Sequence, residues 1–308
     1  MTEEKKRLII IDSNSIVHRA FHALPPLSTK SGEVVGAVYG FLLVFLKALR
    51  ELQPEFIAAT FDLPGPTFRH EKFKEYKATR PPTAEGICQQ LPKVKGILKA
   101  FKIPIFEKQG FEADDIIATI SDMVKKQRTA TELETIILSG DSDTLQLVDE
   151  NTKVYFLRKG VKDTVLYDEN LVREKYQGLP PEKLVDFKAL KGDPSDNIPG
   201  VKGIGEKTAT GLILKFGTLE NLYKEIEENS EAATGIPPRI KEVLMRDKEQ
   251  AFLSKELSQA EKNAPIDFEL NKCFWQKLDK EKAREIFEKF EFQSLIKRIT
   301  ESNPPTPA

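Results

Sequence analysis

Cysteine is scarce: Cys88 and Cys273 are the two in 308 residues, far apart and without CxxC spacing. That excludes a disulfide framework and a thiolate zinc site, and it makes a reducing, cytosolic setting the expectation. Long apolar runs are also missing, so no membrane partner is expected. The opening MTEEKKRLIIID passes from charge straight into an apolar run with no small-residue cleavage site, so it does not read as a secretory signal. There is no internal repeat and no long low-complexity tract. Net charge is lacking too, since 47 Lys/Arg against 48 Asp/Glu leave −1.

That near-zero total conceals an uneven distribution. Between Leu63 and Lys108 ten basic residues face four acidic ones, a local balance of +6. The acids gather elsewhere, in clusters such as Glu112–Asp115 and Asp141–Asp143. A basic surface beside a carboxylate pocket suits a protein that neutralises a phosphate backbone while its carboxylates hold cations.

In chain order, Arg7–Ile11, Phe56–Phe61, Ile103–Phe106 and Glu134–Leu138 read as short buried strands. Val154–Leu157 and Thr164–Tyr167 read as an edge hairpin, and Gly36–Leu52 as a buried helix. From about Asp168 the pattern is helical: Asn170–Tyr176, Pro181–Leu190, Glu206–Phe216, Thr218–Glu227, Pro238–Ala260 and Lys280–Phe290. The Pro-rich end reads as a fraying tail or a linker. The expectation is an α/β half followed by a helical half.

The strands share one property: they run into acid. Asp12 and Asp62 follow the first two, Glu112, Asp114 and Asp115 open the helix beyond the third, and Asp141 and Asp143 follow the fourth. A strand-end Asp taken alone is ordinarily a turn or cap residue, and acids in a first helical turn are favoured by the helix dipole. Parallel strands, however, bring all these ends to one edge, where seven carboxylates cannot stay ionised without cations. Mg²⁺, hard and oxygen-seeking, is the natural partner. Asp193 and Asp196 raise the set to nine, enough for the two ions, about 4 Å apart, of in-line phosphodiester cleavage. Asp12-Ser13-Asn14-Ser15 also loosely matches the DxDxT loop of haloacid-dehalogenase-like phosphohydrolases, but Asn14 replaces the acid/base Asp.

Two further stretches point to nucleic acid. Phe68–Arg80 interleaves aromatics with bases and is stopped by Pro81-Pro82. It reads either as an amphipathic surface helix or as a grip on single strands, with aromatics stacking on bases and cations following the backbone. Gly200-Val201-Lys202-Gly203-Ile204-Gly205 joins two helices, and the second begins near Glu206–Lys207. It is neither a Walker A loop nor a dinucleotide fingerprint. Its glycines and the free N–H groups of the following helix offer a phosphate site, unless the turn is purely structural.

Six ordered motifs carry a resemblance. They are Asp12 with Arg19-Ala20, Phe61-Asp62 with Thr67-Phe68-Arg69, Tyr76-Lys77 with Arg80-Pro81-Pro82, Glu112–Asp115, Gly140–Asp143, and Gly192–Gly200 with Gly203–Ala209. From about Leu8 to Phe292 the chain resembles the 5′→3′ exonuclease and flap endonuclease family, which includes the 5′ nuclease domain of bacterial DNA polymerase I. The resemblance implies a PIN-like (resolvase-like) α/β domain over 1–168 with an arch or clamp near 68–102. It implies a helix–hairpin–helix subdomain over 169–292 and a tail or linker over 293–308. It assigns Asp12, Asp62, Glu112 and Asp114 to one Mg²⁺ or Mn²⁺ ion, Asp141, Asp143 and Asp193 to a second, and Asp115 and Asp196 to outer positions. Arg19 and Arg69 would lie near the scissile phosphate. Phe68, Tyr76, Lys77 and Arg80 would line the path of the 5′ strand, with Lys77 and Arg80 stabilising charge. Gly200, Lys202, Gly203, Gly205, Lys207 and Thr208 would hold duplex, with a K⁺ ion at the hairpin.

The implied activity is structure-specific hydrolysis of DNA flaps, nicks and RNA-primed ends in replication and repair. The implied protein is monomeric, cytoplasmic and nucleoid-associated, and works beside a DNA polymerase in the same or another chain. One departure is Ser13, where the family usually has Gly after the first aspartate. A non-catalytic branched-DNA-binding module and a phosphohydrolase of small substrates are the alternatives.

Overall fold

One strand, apolar on both of its faces, explains the architecture. β1 (Lys6–Asp12) sends Leu8 and Ile10 into one core and Ile9 and Ile11 into another, all buried. A strand buried on both faces belongs in the middle of a parallel sheet. The computed structural model, which describes residues 5–127 and 133–301, places it there. β2 (Phe56–Thr60), β3 (Ile105–Phe106), β4 (Leu133–Ser139), β5 (Thr152–Lys159) and β6 (Asp163–Tyr167) complete one sheet in the order β3-β2-β1-β4-β5-β6. All pairings are parallel except the edge hairpin β5–β6.

Helices cover both faces. α1 (Ser13–Ala23), α2 (Gly36–Leu52), α3 (Phe68–Lys72), α4 (Glu85–Ala100) and α5 (Ala113–Lys126) lie between strands. After β6 come α6 (Glu169–Lys175), α7 (Leu184–Lys191), α8 (Glu206–Phe216), α9 (Leu219–Glu227), α10 (Glu231–Thr234), α11 (Pro238–Arg246), α12 (Lys248–Ser258), α13 (Lys280–Lys289) and α14 (Gln293–Glu301). The Leu8 face packs on Ile116, Ile117 and Ile120 of α5 and runs on into Phe187, Leu190, Ile204 and Leu212 of the helical part. The Ile9 face packs on α1, α2 and α4, and also on Phe287 and Leu295 near the far end of the chain.

Three segments differ from the sequence reading. Residues 13–23 are helical because Asp12 caps them, accepting from the Ser15 N–H at 3.1 Å. Pro238–Ala260 is two helices, broken at Asp247, which takes up both Arg246 and the Lys202 N–H. The expected tail begins as α14: Leu295 and Ile299, one helical turn apart, are buried against α13 and its surroundings, which outweighs the nearby prolines. The Pro-rich residues beyond 301 lie outside the described residues. In the 68–102 stretch, α4 is no free arch, since its Ile87, Val94, Ile97 and Leu98 are core residues.

Candidate active site

In a sheet of this order the connections reverse between β1 and β4, and ligands bind at such a switch point beyond the strand ends. A cavity of about 390 Å³ opens there, lined by Asp12, Asp62, Glu112, Asp114 and Asp141 together with Arg19, Lys77 and Arg80. Asp12 is the deepest of these acids, 3% exposed, and accepts from the Ser139 hydroxyl at 2.6 Å. Burial pushes its carboxyl up to about 6 despite the hydrogen bonds from Ser139 and Ser15. Asp62 opens to the cavity and accepts from the Ala113 N–H, the first of α5, at 2.7 Å. Crowding by protein, and then the Glu112 charge, raises its pKa as well. Asp114 is raised most clearly, by burial and by Asp141, Asp12 and Asp143. Among the described residues it accepts no hydrogen bond and forms no ion pair. Ser13, next to Asp12, has a fully buried hydroxyl with no hydrogen bond, and nothing in the structure explains it.

The segment after α3 folds back over these acids. Residues 74–79 form turns rather than a helix. Lys77 adopts a left-handed backbone (φ 56°), unusual for a long side chain and typical of strained functional positions. Its ammonium reaches Glu112 at 2.7 Å, and its N–H donates to the Asp196 carbonyl at 2.9 Å. Arg80 pairs with Asp196. Tyr76 is buried, packed with Ile198 and Leu257, and its hydroxyl donates to Glu112 (3.0 Å) and Asp196 (3.2 Å). Burial and those two negative charges push the phenol far up, so it stays a donor. A stacking role for Tyr76 would require it to leave this position. Phe68 instead lies half-buried against the Arg69 guanidinium and Phe111.

Arg69 and Asp115 sit away from the cavity, in a buried pair. The guanidinium is 3% exposed and grips Asp115 through two bonds of 2.7 and 2.8 Å. It also donates to the Leu257 and Gln259 carbonyls, while the Glu261 N–H donates to Asp115. The pair therefore ties the segment after β2 and α5 to the end of α12. Asp115 has no free oxygen lone pair facing the cavity acids, because Glu112 N–H takes the remaining position. Breaking a buried pair leaves an uncompensated charge, so Arg69→Ala should cost about 3–5 kcal/mol of stability in a urea titration. A loss below ~1 kcal/mol, the scale of an exposed pair, would show that the tie is not structural.

Asp143 and Asp193 form a separate group with Lys188 of α7. The ammonium bonds Asp193 at 2.7 Å and also bonds Asp143. Burial raises Asp143 to about 6, with Asp141 and Asp193 adding to it, although Lys188 pulls the other way. Lys188 with Ser195 holds Asp193 at about 2. The chain reaches Asp193 through Gly192 (φ 78°), where a Cβ would lie 2.7 Å from the Ile198 carbonyl oxygen. Gly200 packs against Gly192 and is buried, with its N–H given to Ser254. Its role is to close this loop and not to face a phosphate. Lys202, Gly203, Gly205 and Lys207 are exposed, Thr208 is half-buried, and a Cβ at Gly203 would meet nothing within 4 Å. Arg19 reaches back to the Gly140 carbonyl at 2.9 Å.

The donor set fits hard divalent cations. Asp12 is buried, Asp114 half-buried and Asp62 open to the cavity, and all three have raised pKa values and no ion pair among the described residues, which is the condition a cation relieves. As the side chains stand, no three His, Cys, Asp or Glu groups among the described residues converge on one point. Lys77, Arg80 and Lys188 draw Glu112, Asp196, Asp143 and Asp193 toward themselves instead. Sequence reasoning missed Lys188, Ser139, Asn14 and the pair His18 and His22, one turn apart on the cavity side of α1. Only the two histidines had a visible signal, their i, i+4 spacing.

Comparison with known proteins agrees with this geometry. Residues 7–177 match the family model of the 5′-3′ exonuclease N-terminal resolvase-like domain, and residues 179–281 that of the 5′-3′ exonuclease C-terminal SAM fold. The chain is 40% identical to DNA polymerase I of Bacillus caldotenax over 96% of its length, and 39% identical to that of Bacillus subtilis over 97%. It spans about a third of those relatives, 32% and 33% of their lengths. A solved structure of bacteriophage T5 5′-exonuclease with zinc ions bound shares the fold, with a TM-score of 0.63 at 20% identity over 96% of this chain and 99% of that one. The catalytic core of Rad2 in complex with DNA substrate gives a TM-score of 0.56 at 16% identity, over 94% of this chain and 89% of that one.

Proposed function

Because the chain belongs to the 5′-3′ exonuclease family, we propose that it hydrolyses phosphodiesters of branched DNA and RNA-primed ends as a structure-specific 5′ nuclease. The observation that carries this reading is the convergence of Asp12, Asp62, Glu112, Asp114 and Asp141 on one cavity that Lys77 and Arg80 also enter. Asp12, Asp62, Glu112 and Asp114 would hold one Mg²⁺ or Mn²⁺ ion and Asp141, Asp143 and Asp193 a second. When bound, the two ions would supply Lewis-acid activation of water and neutralisation of phosphate charge.

The chain's own residues do the rest. Ser139 and Ser15 fix the Asp12 carboxylate, and the α5 N-terminus fixes Asp62. Lys77 and Arg80, now on Glu112 and Asp196, have an anion to exchange for when a phosphate enters, and hold its oxygens as charge builds. Lys202, Gly203 and the α8 N-terminus with Lys207 grip the duplex backbone, with a K⁺ ion at the hairpin as a further bridge. Hydrolysis adds water across one P–O bond, leaving a 5′-phosphate on the retained strand and a 3′-hydroxyl on the released piece. The protein acts as a monomer, in the bacterial cytoplasm, alongside a DNA polymerase.

The direct test is cleavage of a 5′-flap duplex in Mg²⁺ and in EDTA. Flap binding without cleavage in Mg²⁺ would make the chain a binding module, and turnover of a chromogenic phosphate ester with an intact flap would make it a small-substrate phosphohydrolase. The hairpin is tested separately. Lys202→Ala and Lys207→Ala should each weaken duplex binding and reduce the salt slope by about one. An unchanged slope would leave the hairpin a structural turn.

A further inference from the structure

The proposed ligands divide unequally over the protein's own cations. Among the described residues Asp12, Asp62 and Asp114 form no ion pair, and of the first ion's proposed ligands only Glu112 is held, by Lys77, whereas Asp143 and Asp193 share a single ammonium, that of Lys188. It sits 2.7 Å from Asp193 and is also bonded to Asp143. The lysine is largely buried (17% side-chain exposure), and so are its two partners (21% and 15%). Its place is fixed by the backbone: its own carbonyl accepts the Gly192 N–H at 2.8 Å, ending α7 and turning the chain into Asp193. A monovalent cation thus stands between the two carboxylates that would otherwise take a divalent one.

From this we propose that Lys188 is an internal competitor for the second metal ion and sets the order of metal loading. The inference rests on reading Asp143 and Asp193 as ligands of that ion. A divalent cation arriving there meets two carboxylates whose charge one ammonium already half offsets, and a positive charge at contact range, so it must expel the ammonium before it binds. An ion arriving at Asp12, Asp62 and Asp114 meets carboxylates that carry no cation of the chain and relieves their repulsion at once. The first ion therefore binds tightly and the second weakly. Lys188 acts here through the ligands and not on substrate.

The test counts Mn²⁺ bound to the intact chain without DNA, by electron paramagnetic resonance of the free ion. The wild type should bind one Mn²⁺ tightly and a second weakly. Lys188→Met and Lys188→Gln should tighten the second ion by roughly tenfold or more, a decade being about 1.4 kcal/mol. Lys188→Arg, which keeps the cation, should leave it weak. In parallel, Lys188→Met should melt at a lower temperature in EDTA, since Asp143 and Asp193 are then unpaired, and gain more from Mn²⁺ than the wild type does. Asp193→Asn should remove the second ion. If Asp193→Asn leaves both ions in place, the ligand assignment itself is wrong. If it removes the second ion while Lys188→Met and Lys188→Gln leave that ion unchanged or weaker, the competitor role is overturned.

Discussion

Replacing Asp114 by Asn is expected to lower Mg²⁺-dependent flap cleavage by roughly a thousandfold or more, the upper scale for one group that manages charge in a reaction centre. The same change should leave the melting temperature in EDTA equal to or above that of the wild type. The two signs have one cause. Asp114 faces the cavity with no chain partner among the described residues, and its neighbours Asp141, Asp12 and Asp143 all disfavour its charge. In the metal-free protein the carboxylate is therefore a liability, and the isosteric amide removes it. Rate and melting temperature measured on one preparation decide the matter. Full activity in the Asn variant would take Asp114 out of the site. A large drop in stability would show that its charge is paired in solution.

Lys77→Ala carries the second large effect, on turnover and not on docking. Lys77 enters the cavity beside Arg80 from the segment over the acids, in a left-handed backbone that its surroundings stabilise. The lost ammonium should lower kcat by about 10²–10³-fold, the cost of removing one preorganised charge stabiliser. Duplex affinity, proposed above to come from the exposed Lys202 and Lys207, should change by less than about twofold. Single-turnover rates and a binding isotherm separate the two quantities. A variant that binds poorly but cleaves at the normal maximal rate would move Lys77 from the chemistry to substrate capture.

The sheet was legible because its central strands carry short apolar runs, Leu8–Ile11, Phe56–Ala59 and Ile136–Leu138, each followed within three residues by an acid. Asp12, Asp62 and Asp141 thereby announced both the strand ends and the cavity edge. Helices with a glycine at each border, such as Glu206–Phe216 between Gly205 and Gly217, were read to the residue. What stayed hidden depends on partners supplied from far along the chain. Arg69 lies in a stretch whose other bases are mostly exposed, and only Asp115, Leu257 and Gln259 together draw it inside. Gly200 belongs to a glycine-punctuated turn, yet its partner is Gly192 and not a phosphate. Lys188 is one of two lysines on α7, and its importance exists only once Asp143 arrives from beyond another strand. Periodicity reports what a residue's own element does, and pair chemistry between elements leaves no local trace.

The two cores have a consequence for how the protein comes to exist. β1 is synthesised long before its cover, since one of its faces is completed by Phe187, Ile204 and Leu212 and the other by Phe287 and Leu295. At about 5–20 residues per second, roughly 15–60 seconds pass between making that strand and making its last cover. Throughout that interval β1 stays partly uncovered, and a ribosome stalled before α13 would display it to holdase chaperones rather than release a finished half.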